Sequence, residues 1–277
     1  MHALPALIAL ALAAIIAPAL LRALEHGGHT QLNYRRRALA FPFGVLVLVA
    51  AVLALVPLTL LERLASSEVF HREIVAVMLY STGVLALGLV DDTLAPEASR
   101  ARGWRGHAAA LMRGEASTGV LKAAGSLGLA LFAMSYLDLS KARWLLAAGV
   151  LVLATNVFNL LDLRPGRSIK ALVLLGAGLT IGSAELRPLW SLGLFAAPAL
   201  VAGVYDLRER AMLGDTGANL LGALAGLWLV LTLSGTGQLI ALAVLAAITV
   251  YGELRSISGF VERTPGLRQL DSWGRPA

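Results

Sequence analysis

The sequence contains no cysteine, and only 14% of its 277 residues are charged. The absence of cysteine excludes disulfide bonds and thiolate metal sites. Soluble domains carry about 25% charged residues, so this chain has too few to cover a water-facing surface. Hydrophobic residues make up 58% of the chain and the mean hydropathy is +0.76. These values predict a protein of the bilayer and exclude a water-soluble enzyme.

Long apolar segments predict an all-α polytopic membrane protein with about nine transmembrane helices, because a span needs about 20 apolar residues. No low-complexity linker or internal repeat divides the chain. Residues 1–254 are therefore predicted to form a single integral membrane domain, followed by a polar tail over residues 255–277. The predicted spans are 3–24, 41–61, 73–90, 118–137, 143–161, 168–184, 188–205, 217–234 and 237–254, of which 168–184 is the shortest.

The basic residues predict the orientation of these spans. Of the 23 Lys and Arg residues, 18 lie in segments 22–40, 91–122, 162–170, 206–215 and 253–277, which would share one side. The positive-inside rule makes that side cytoplasmic and puts the N-terminus outside. The first apolar run has no basic residue before it and is followed by Arg22, which favours a retained helix over a signal peptide. The net charge of +6 is thus attributed to membrane orientation and anionic headgroups or phosphates, with no role for nucleic acid.

Polar residues interrupt the apolar pattern where three predicted spans begin or end. Carboxylates near hydrocarbon are costly and are usually functional. The predicted topology puts all three motifs on the cytoplasmic side, where together they could bind a divalent cation, which suggests phosphate chemistry. The motifs are Asp91-Asp92, the run containing Asn156, Asn159 and Asp162, and Gly214-Asp215-Thr216-Gly217.

Each motif has a structural and a functional interpretation. Asp91 and Asp92 either end a span as solvated carboxylates or supply a metal ligand beside a general base. A paired acid is a poor cap for a helix C-terminus, which favours function. Asn156 and Asn159 either hydrogen-bond between helices or orient the acids and hold substrate oxygens.

Residues 214–217 precede a predicted helix, so Asp215 or Thr216 either caps that helix or lies in a phosphate and metal site at its N-terminus. Small residues at 218, 222 and 226 predict close packing of this helix on a neighbour, which would hold Asp215 rigidly. Arg164, Arg167 and Lys170 follow the second motif. They either bind an anionic substrate or are ordinary positive-inside charges.

In this order, the three motifs resemble those of the polyprenyl-phosphate N-acetylhexosamine-1-phosphate transferases. Residues 33–44 resemble the family's first cytoplasmic loop, and the resemblance extends from about residue 30 to 255. It implies an integral plasma-membrane enzyme of cell-envelope glycan synthesis that moves a sugar-1-phosphate from a UDP-sugar to polyprenyl phosphate with Mg²⁺. Its partners would be the lipid phosphate, the nucleotide-sugar and the membrane, and a homodimer is left open.

The resemblance also assigns roles to residues. Asp215 and Asp92 are the expected metal ligands, and either Asp91 or Asp92 would deprotonate the lipid phosphate. The expected catalytic residues are Asp91, Asp92 and Asp162. The expected substrate-binding residues are Asn156, Asn159, Arg164, Arg167, Lys170, Arg105 and His107.

The sequence departs from the family pattern at two places. A second acid that the family carries after the Asn motif is replaced by Pro165. The family's last cytoplasmic loop carries a histidine cluster, and segment 253–262 contains no histidine. The nucleotide or sugar side is therefore altered. The alternative function is a catalytically altered paralogue that binds or transports polyprenyl-phosphate lipids, although the absence of repeats weighs against transport.

Overall fold

A computed structural model describes residues 1–94 and 118–276. This part of the chain is almost entirely helical and contains one short β-hairpin. Its elements are α1 Leu4–His26, β1 Thr30–Leu32, β2 Ala38–Ala40, α2 Val45–Leu64, α3 Ile74–Leu94, α4 Thr118–Met134, α5 Lys141–Leu161, α6 Arg167–Ser183, α7 Arg187–Leu207, α8 Gly214–Thr232, α9 Gly235–Leu254, α10 Ile257–Arg263 and α11 Pro265–Ser272.

All nine predicted spans are helices, and seven of them are long and apolar enough to cross a membrane. The protein is thus a multi-pass membrane protein of the all-α class. The count of nine is not confirmed, because α4 and α6 have only 17 residues each. At 1.5 Å per residue such a helix is about 26 Å long, which is shorter than the roughly 30 Å hydrocarbon core.

Helix α8 is the central element of the bundle and packs against α3, α5, α6 and α7. Its small residues allow close approach, as the sequence predicted. A Cβ at Gly222 would lie 2.5 Å from Thr155 Cα, and one at Gly226 would lie 3.0 Å from Leu151 Cα. Because both contacts are with the α5 backbone, larger residues here would push the two helices apart.

The β-hairpin joins the first loop to the loop that precedes α8. Strands β1 and β2 pair antiparallel, and Ala40 also bridges to Ala211. Met212 donates its N–H to the Ala40 carbonyl over 2.9 Å, and Phe43 donates to the Met212 carbonyl over 2.8 Å. This pairing occupies residues 38–43, so α2 begins at Val45, later than the predicted residue 41.

The loops gather at two ends of the bundle. The hairpin end contains residues 27–44, the α5–α6 and α7–α8 turns, and the tail over residues 255–276, all linked by hydrogen bonds. At the opposite end, Arg187 contacts Glu73 and Arg143 contacts the Leu233 carbonyl. The described parts of the five segments predicted to share a side therefore share the hairpin end.

Candidate functional site

Carboxylates from two distant motifs meet around one lysine at the hairpin end. Lys122 Nζ lies 2.5 Å from Asp215 Oδ2 and 3.2 Å from Asp91 Oδ2. Asn159 completes the group when its amide is oriented to satisfy both neighbours, with Nδ2 donating to Asp215 Oδ1 over 3.2 Å and Oδ1 accepting from Lys122 Nζ over 3.1 Å. We call Asp91, Asp215, Lys122 and Asn159 the acidic cluster. It brings together all three polar motifs of the sequence, which are carried by α3, α5 and α8.

The cluster is mostly shielded from solvent but remains open on one side. The exposed side-chain fractions are 14% for Asp91, 16% for Lys122 and 30% for Asp215. Removing Lys122 would leave two neighbouring carboxylates without their counter-charge. Because shielded charges interact more strongly than those in bulk water, the two carboxylates would then repel each other strongly. The exposure of Asp215 gives an ion or phosphate access to one side of the cluster.

Asp92 has a structural role beside the cluster. Its Oδ1 accepts the N–H of Asp215 over 3.0 Å, and its Oδ2 accepts the N–H and the hydroxyl of Thr216 over 2.8 and 2.6 Å. These N–H groups belong to the first turn of α8, where such groups have no partner within the helix. Asp92 therefore caps α8 from the neighbouring helix, and neither Asp215 nor Thr216 acts as its side-chain cap.

Residues 214–217 form the first turn of α8 instead of preceding the helix. Gly214 has a φ of 72° and lies against the Asp92 carboxylate, since a Cβ there would be 2.6 Å from Oδ2. Gly88 of α3 allows an equally close approach, because its Cβ would lie 2.5 Å from the Asp215 carbonyl oxygen. These two glycines let α3 and α8 touch where Asp91 and Asp215 meet.

A second pair of acids, Asp162 and Asp206, lies close to the cluster. Asp162 follows α5 and accepts the Ser168 hydroxyl over 2.6 Å. Asp206, in the last turn of α7, accepts the Gly166 N–H over 2.7 Å. Burial raises the pKa of Asp162 well above its usual value, and the nearby charges of Asp206, Asp215 and Asp92 raise it further, against the effect of the Ser168 hydrogen bond. Asp206 was not singled out in the sequence.

The structure separates Asn156 from the acidic cluster. Its side chain is exposed, and Nδ2 donates to the Thr249 hydroxyl of α9 over 3.2 Å. Asn159 lies one turn further along α5 and does reach the cluster. The three-residue spacing correctly predicted that Asn156 and Asn159 lie on neighbouring turns of α5. The two side chains nevertheless contact different helices.

The predicted substrate-binding turn is occupied by the protein's own tail. Arg164 pairs with Glu262 over 3.0 Å, and Lys170 Nζ donates to the Asp271 carbonyl over 2.7 Å. Arg167 makes a two-point contact with the Asp271 carboxylate over 2.8 and 3.0 Å. Both side chains of this last pair are largely buried, with 7% and 11% exposed. The three basic residues therefore fasten the tail in the structure.

Asp271 is the centre of this attachment. Arg275 donates to its carboxylate over 2.7 Å and to the Pro165 carbonyl over the same distance. Desolvation would raise the pKa of Asp271, but the hydrogen bonds and charges of Arg167 and Arg275 outweigh it and lower that pKa to about 2. Pro165, which stands where the family that the sequence resembles carries an acid, thus contacts the tail through its backbone carbonyl.

The first loop contributes a further buried acid. Glu209, 7% exposed, accepts from Asn33 Nδ2 over 3.3 Å and from the Tyr34 hydroxyl over 3.0 Å, and Arg35 lies 3.5 Å away. Asn33, Tyr34 and Arg35 belong to the segment that resembles the family's first cytoplasmic loop. Their contacts hold that loop to the end of α7, beside the α8 N-terminus.

Two predicted contacts, Arg105 and His107, lie outside the described residues. Lys122 was overlooked as a site residue because it counted only as one of the many basic residues on its predicted side. Its position one turn into an apolar helix could have identified Lys122 as a site residue, because a charged side chain there needs a partner.

The acidic cluster offers oxygen ligands for a metal but no complete cage. In residues 1–94 and 118–276, no three Asp, Glu or His side chains are arranged as a metal site. Asp91 and Asp215 nevertheless already share one cation, the Lys122 ammonium group. Mg²⁺ commonly binds through one or two carboxylates together with water and substrate phosphates. These two residues therefore fit a magnesium ion that a substrate helps to hold, and Asp92 is engaged elsewhere.

Comparison of the chain with models of protein families finds no match. Comparison with curated proteins likewise finds no significant similarity.

Proposed function

We propose that the protein is an integral membrane transferase that moves a sugar-1-phosphate from a UDP-sugar to a polyprenyl phosphate. The supporting observation is that Asp91, Asp215 and Asn159 converge on one positive charge. Their order along the chain also resembles that of the polyprenyl-phosphate N-acetylhexosamine-1-phosphate transferases. Phosphoryl transfer needs mainly positioning and charge neutralisation, which such a cluster supplies.

In this proposal, an oxygen of the lipid phosphate attacks the β-phosphorus of the UDP-sugar. A new phosphorus–oxygen bond forms, the bond to the bridging oxygen breaks, and UMP leaves with the bonding electrons. The second pKa of a phosphate monoester is about 6, so the lipid phosphate is mostly dianionic at pH 7 and needs little help from a base. We therefore assign Asp91 to cation binding rather than to proton removal.

Each residue of the cluster then has a defined task. Asp91 and Asp215 hold the divalent cation, Lys122 contacts a phosphate oxygen, and Asn159 orients Asp215. Asp92 keeps α8 in register with α3 and is a positioning residue. A magnesium ion at this site supplies neutralisation of the charge that develops on the transferred phosphate.

A UMP-release assay on purified protein tests the proposal. The protein is given undecaprenyl phosphate, Mg²⁺ and a panel of UDP-sugars. Asp215→Asn is expected to lower the release rate about 100-fold or more, because an electrostatic contact to the transition state is lost. Asp138→Asn, an exposed acid at the opposite end, is the matched control and is expected to keep the wild-type rate. Equal rates in the two variants would remove Asp215 from the mechanism.

One observation favours a second candidate, a paralogue that binds polyprenyl phosphate without turnover. Arg164, Arg167 and Lys170 are all engaged by the tail, and Pro165 replaces an acid of the family. The same donor panel separates the two functions. Tight binding of undecaprenyl phosphate without release of any nucleotide would support the binder, and release from any donor would support the transferase.

A further inference from the structure

A cavity of about 340 Å³ lies at the opposite end of the bundle from the acidic cluster. Its walls come from the start of α3, the α4–α5 loop, the first turns of α5 and α7, and the end of α8. Lys122 lies near the start of α4, and Tyr136, which lines the cavity, lies just beyond its end. A 17-residue helix spans about 26 Å, so this cavity is separate from the proposed transfer site.

Charged side chains are few at this end of the bundle, and several of them line the cavity. Of the five basic residues assigned to this side by the sequence, Arg72, Arg143 and Arg187 line the cavity. Glu73, only 2% exposed, accepts from Arg72 over 3.3 Å and from Arg187 over 2.5 Å. Both contacts use Glu73 Oε1, and Oε2 is buried without a hydrogen-bond partner in the described part of the chain.

Arg143 is left without an acidic partner. Its guanidinium donates to the Leu233 carbonyl over 3.3 Å, and its Nε is buried with no hydrogen-bond partner among the described residues. No salt bridge to Arg143 is present within residues 1–94 and 118–276. A partly buried guanidinium with an unpaired donor favours an oxyanion such as phosphate, two oxygens of which it can bind at once.

The cavity is therefore lined by one arginine with an unpaired N–H donor and one glutamate with an unpaired carboxylate oxygen. Leucine and valine side chains from the α4–α5 loop and α8 complete its walls. The lining residues lie where α3, α5, α7 and α8 begin or end, and the ends of membrane-spanning helices lie near lipid headgroups. A volume of this size is at the lower limit for small-ligand sites, which suits a headgroup better than a whole lipid.

We propose that this cavity binds the headgroup of an amine-bearing phospholipid, with the phosphate on Arg143 and the ammonium group on Glu73 Oε2. The proposal predicts a preference for phosphoethanolamine over phosphocholine headgroups. The quaternary ammonium of choline has no N–H to donate to Glu73, so the buried oxygen would remain unpaired. The site does not depend on the proposed transfer reaction.

Water-soluble dihexanoyl phosphatidylethanolamine is the probe for the test, titrated into purified wild-type protein in detergent by calorimetry. Arg143→Gln is expected to weaken binding about tenfold or more, as the loss of a hydrogen bond to a charged group implies. Lys141→Gln removes the same charge two residues away, at an exposed position that does not line the cavity. It is expected to bind as the wild type does.

Dihexanoyl phosphatidylcholine and inorganic phosphate are the comparison ligands. Both are expected to bind the wild type at least about tenfold more weakly than the ethanolamine lipid. Equal binding of phosphatidylcholine would refute the contact with Glu73, and equal binding of inorganic phosphate would refute a lipid ligand. Unchanged binding by Arg143→Gln, or an equal loss in Lys141→Gln, would refute the site. Should Arg143→Gln not fold, Arg143→Lys keeps the charge without the fork and is expected to show the same loss.

Discussion

The contact between α3 and α8 at Gly88 should control the proposed activity without any change to a charged group. A Cβ at residue 88 would lie 2.5 Å from the Asp215 carbonyl oxygen and 2.7 Å from both Asp215 C and Thr216 Cα. Ordinary van der Waals contacts of a Cβ begin near 3.4 Å. Because all three atoms belong to backbone, Gly88→Ala must separate the helices by about 1 Å.

That separation moves Asp215 away from Asp91, which is on the same helix as Gly88. A 1 Å misplacement of catalytic groups can cost about 100-fold in rate, so UMP release by Gly88→Ala is expected to fall by about that factor. Overpacking costs about 1–3 kcal/mol, and alanine recovers up to about 1 kcal/mol of helix propensity. The variant is therefore expected to remain folded.

Gly128→Ala in α4 is the matched control, because its Cβ would meet nothing within 4 Å. It should keep the wild-type rate and gain slightly in stability. UMP release is measured alongside the apparent unfolding temperature for both variants. Full activity in a folded Gly88→Ala protein would show that the spacing of α3 and α8 does not set the geometry of the reaction.

Three further predictions concern the cluster and the tail. Lys122→Met leaves two carboxylates facing each other, which should lower the free energy of unfolding by about 3 kcal/mol. Millimolar Mg²⁺ should then raise the unfolding temperature of the variant more than that of the wild type. Equal effects on both proteins would contradict a cation site at this position. Asp271→Asn removes the two-point contact with Arg167 and should speed tryptic cleavage after Arg268 about tenfold or more. Asp138→Asn, at the exposed position on the opposite end, should not change the cleavage rate. The pKa of Asp271 is about 2 in the folded protein and 3.8 ordinarily, so its contribution to docking is complete above pH 3.8 and is lost as pH falls through about 2. Hydrogen exchange in residues 257–272, corrected for intrinsic rates, should therefore be the same at pH 5 and pH 8.

The helices were predictable because each apolar run is bounded by charged or turn-forming residues. The length of α6 was predicted, because segment 168–184 and the helix Arg167–Ser183 both have 17 residues, but such a helix is too short for a confirmed span. Apolar composition does not distinguish a full crossing from a short buried helix, so the count of nine remains a prediction. Pairing of the first loop with residues 211–213 was not predictable, because the partner strand lies about 170 residues away.

Site residues could be predicted only where the sequence around a residue makes its charged or polar side chain energetically costly. Asp91 and Asp215 stood out because carboxylates beside apolar runs are expensive, and they do meet. The partners of Arg164 and Arg167 could not be inferred, because a basic turn has the same sequence signature whether it binds a substrate or a tail some 100 residues further on. Asn156 shows the same limit, since spacing along α5 does not reveal which neighbouring helix it contacts.

The link between the first loop and the α7–α8 loop sets an order for biogenesis. Helices α1 and α2 leave the ribosome early, but the N–H groups of Phe43 and Gly44 find their partners, the carbonyls of Met212 and Leu213, only after helices α3 to α7 have been made. Contacts so distant in sequence form slowly. The N–H groups at the start of α2 must therefore remain hydrated, in the insertion machinery or at the headgroup layer, until residues 211–213 are in place. A substitution in residues 211–213 would first slow the assembly of the protein in the membrane.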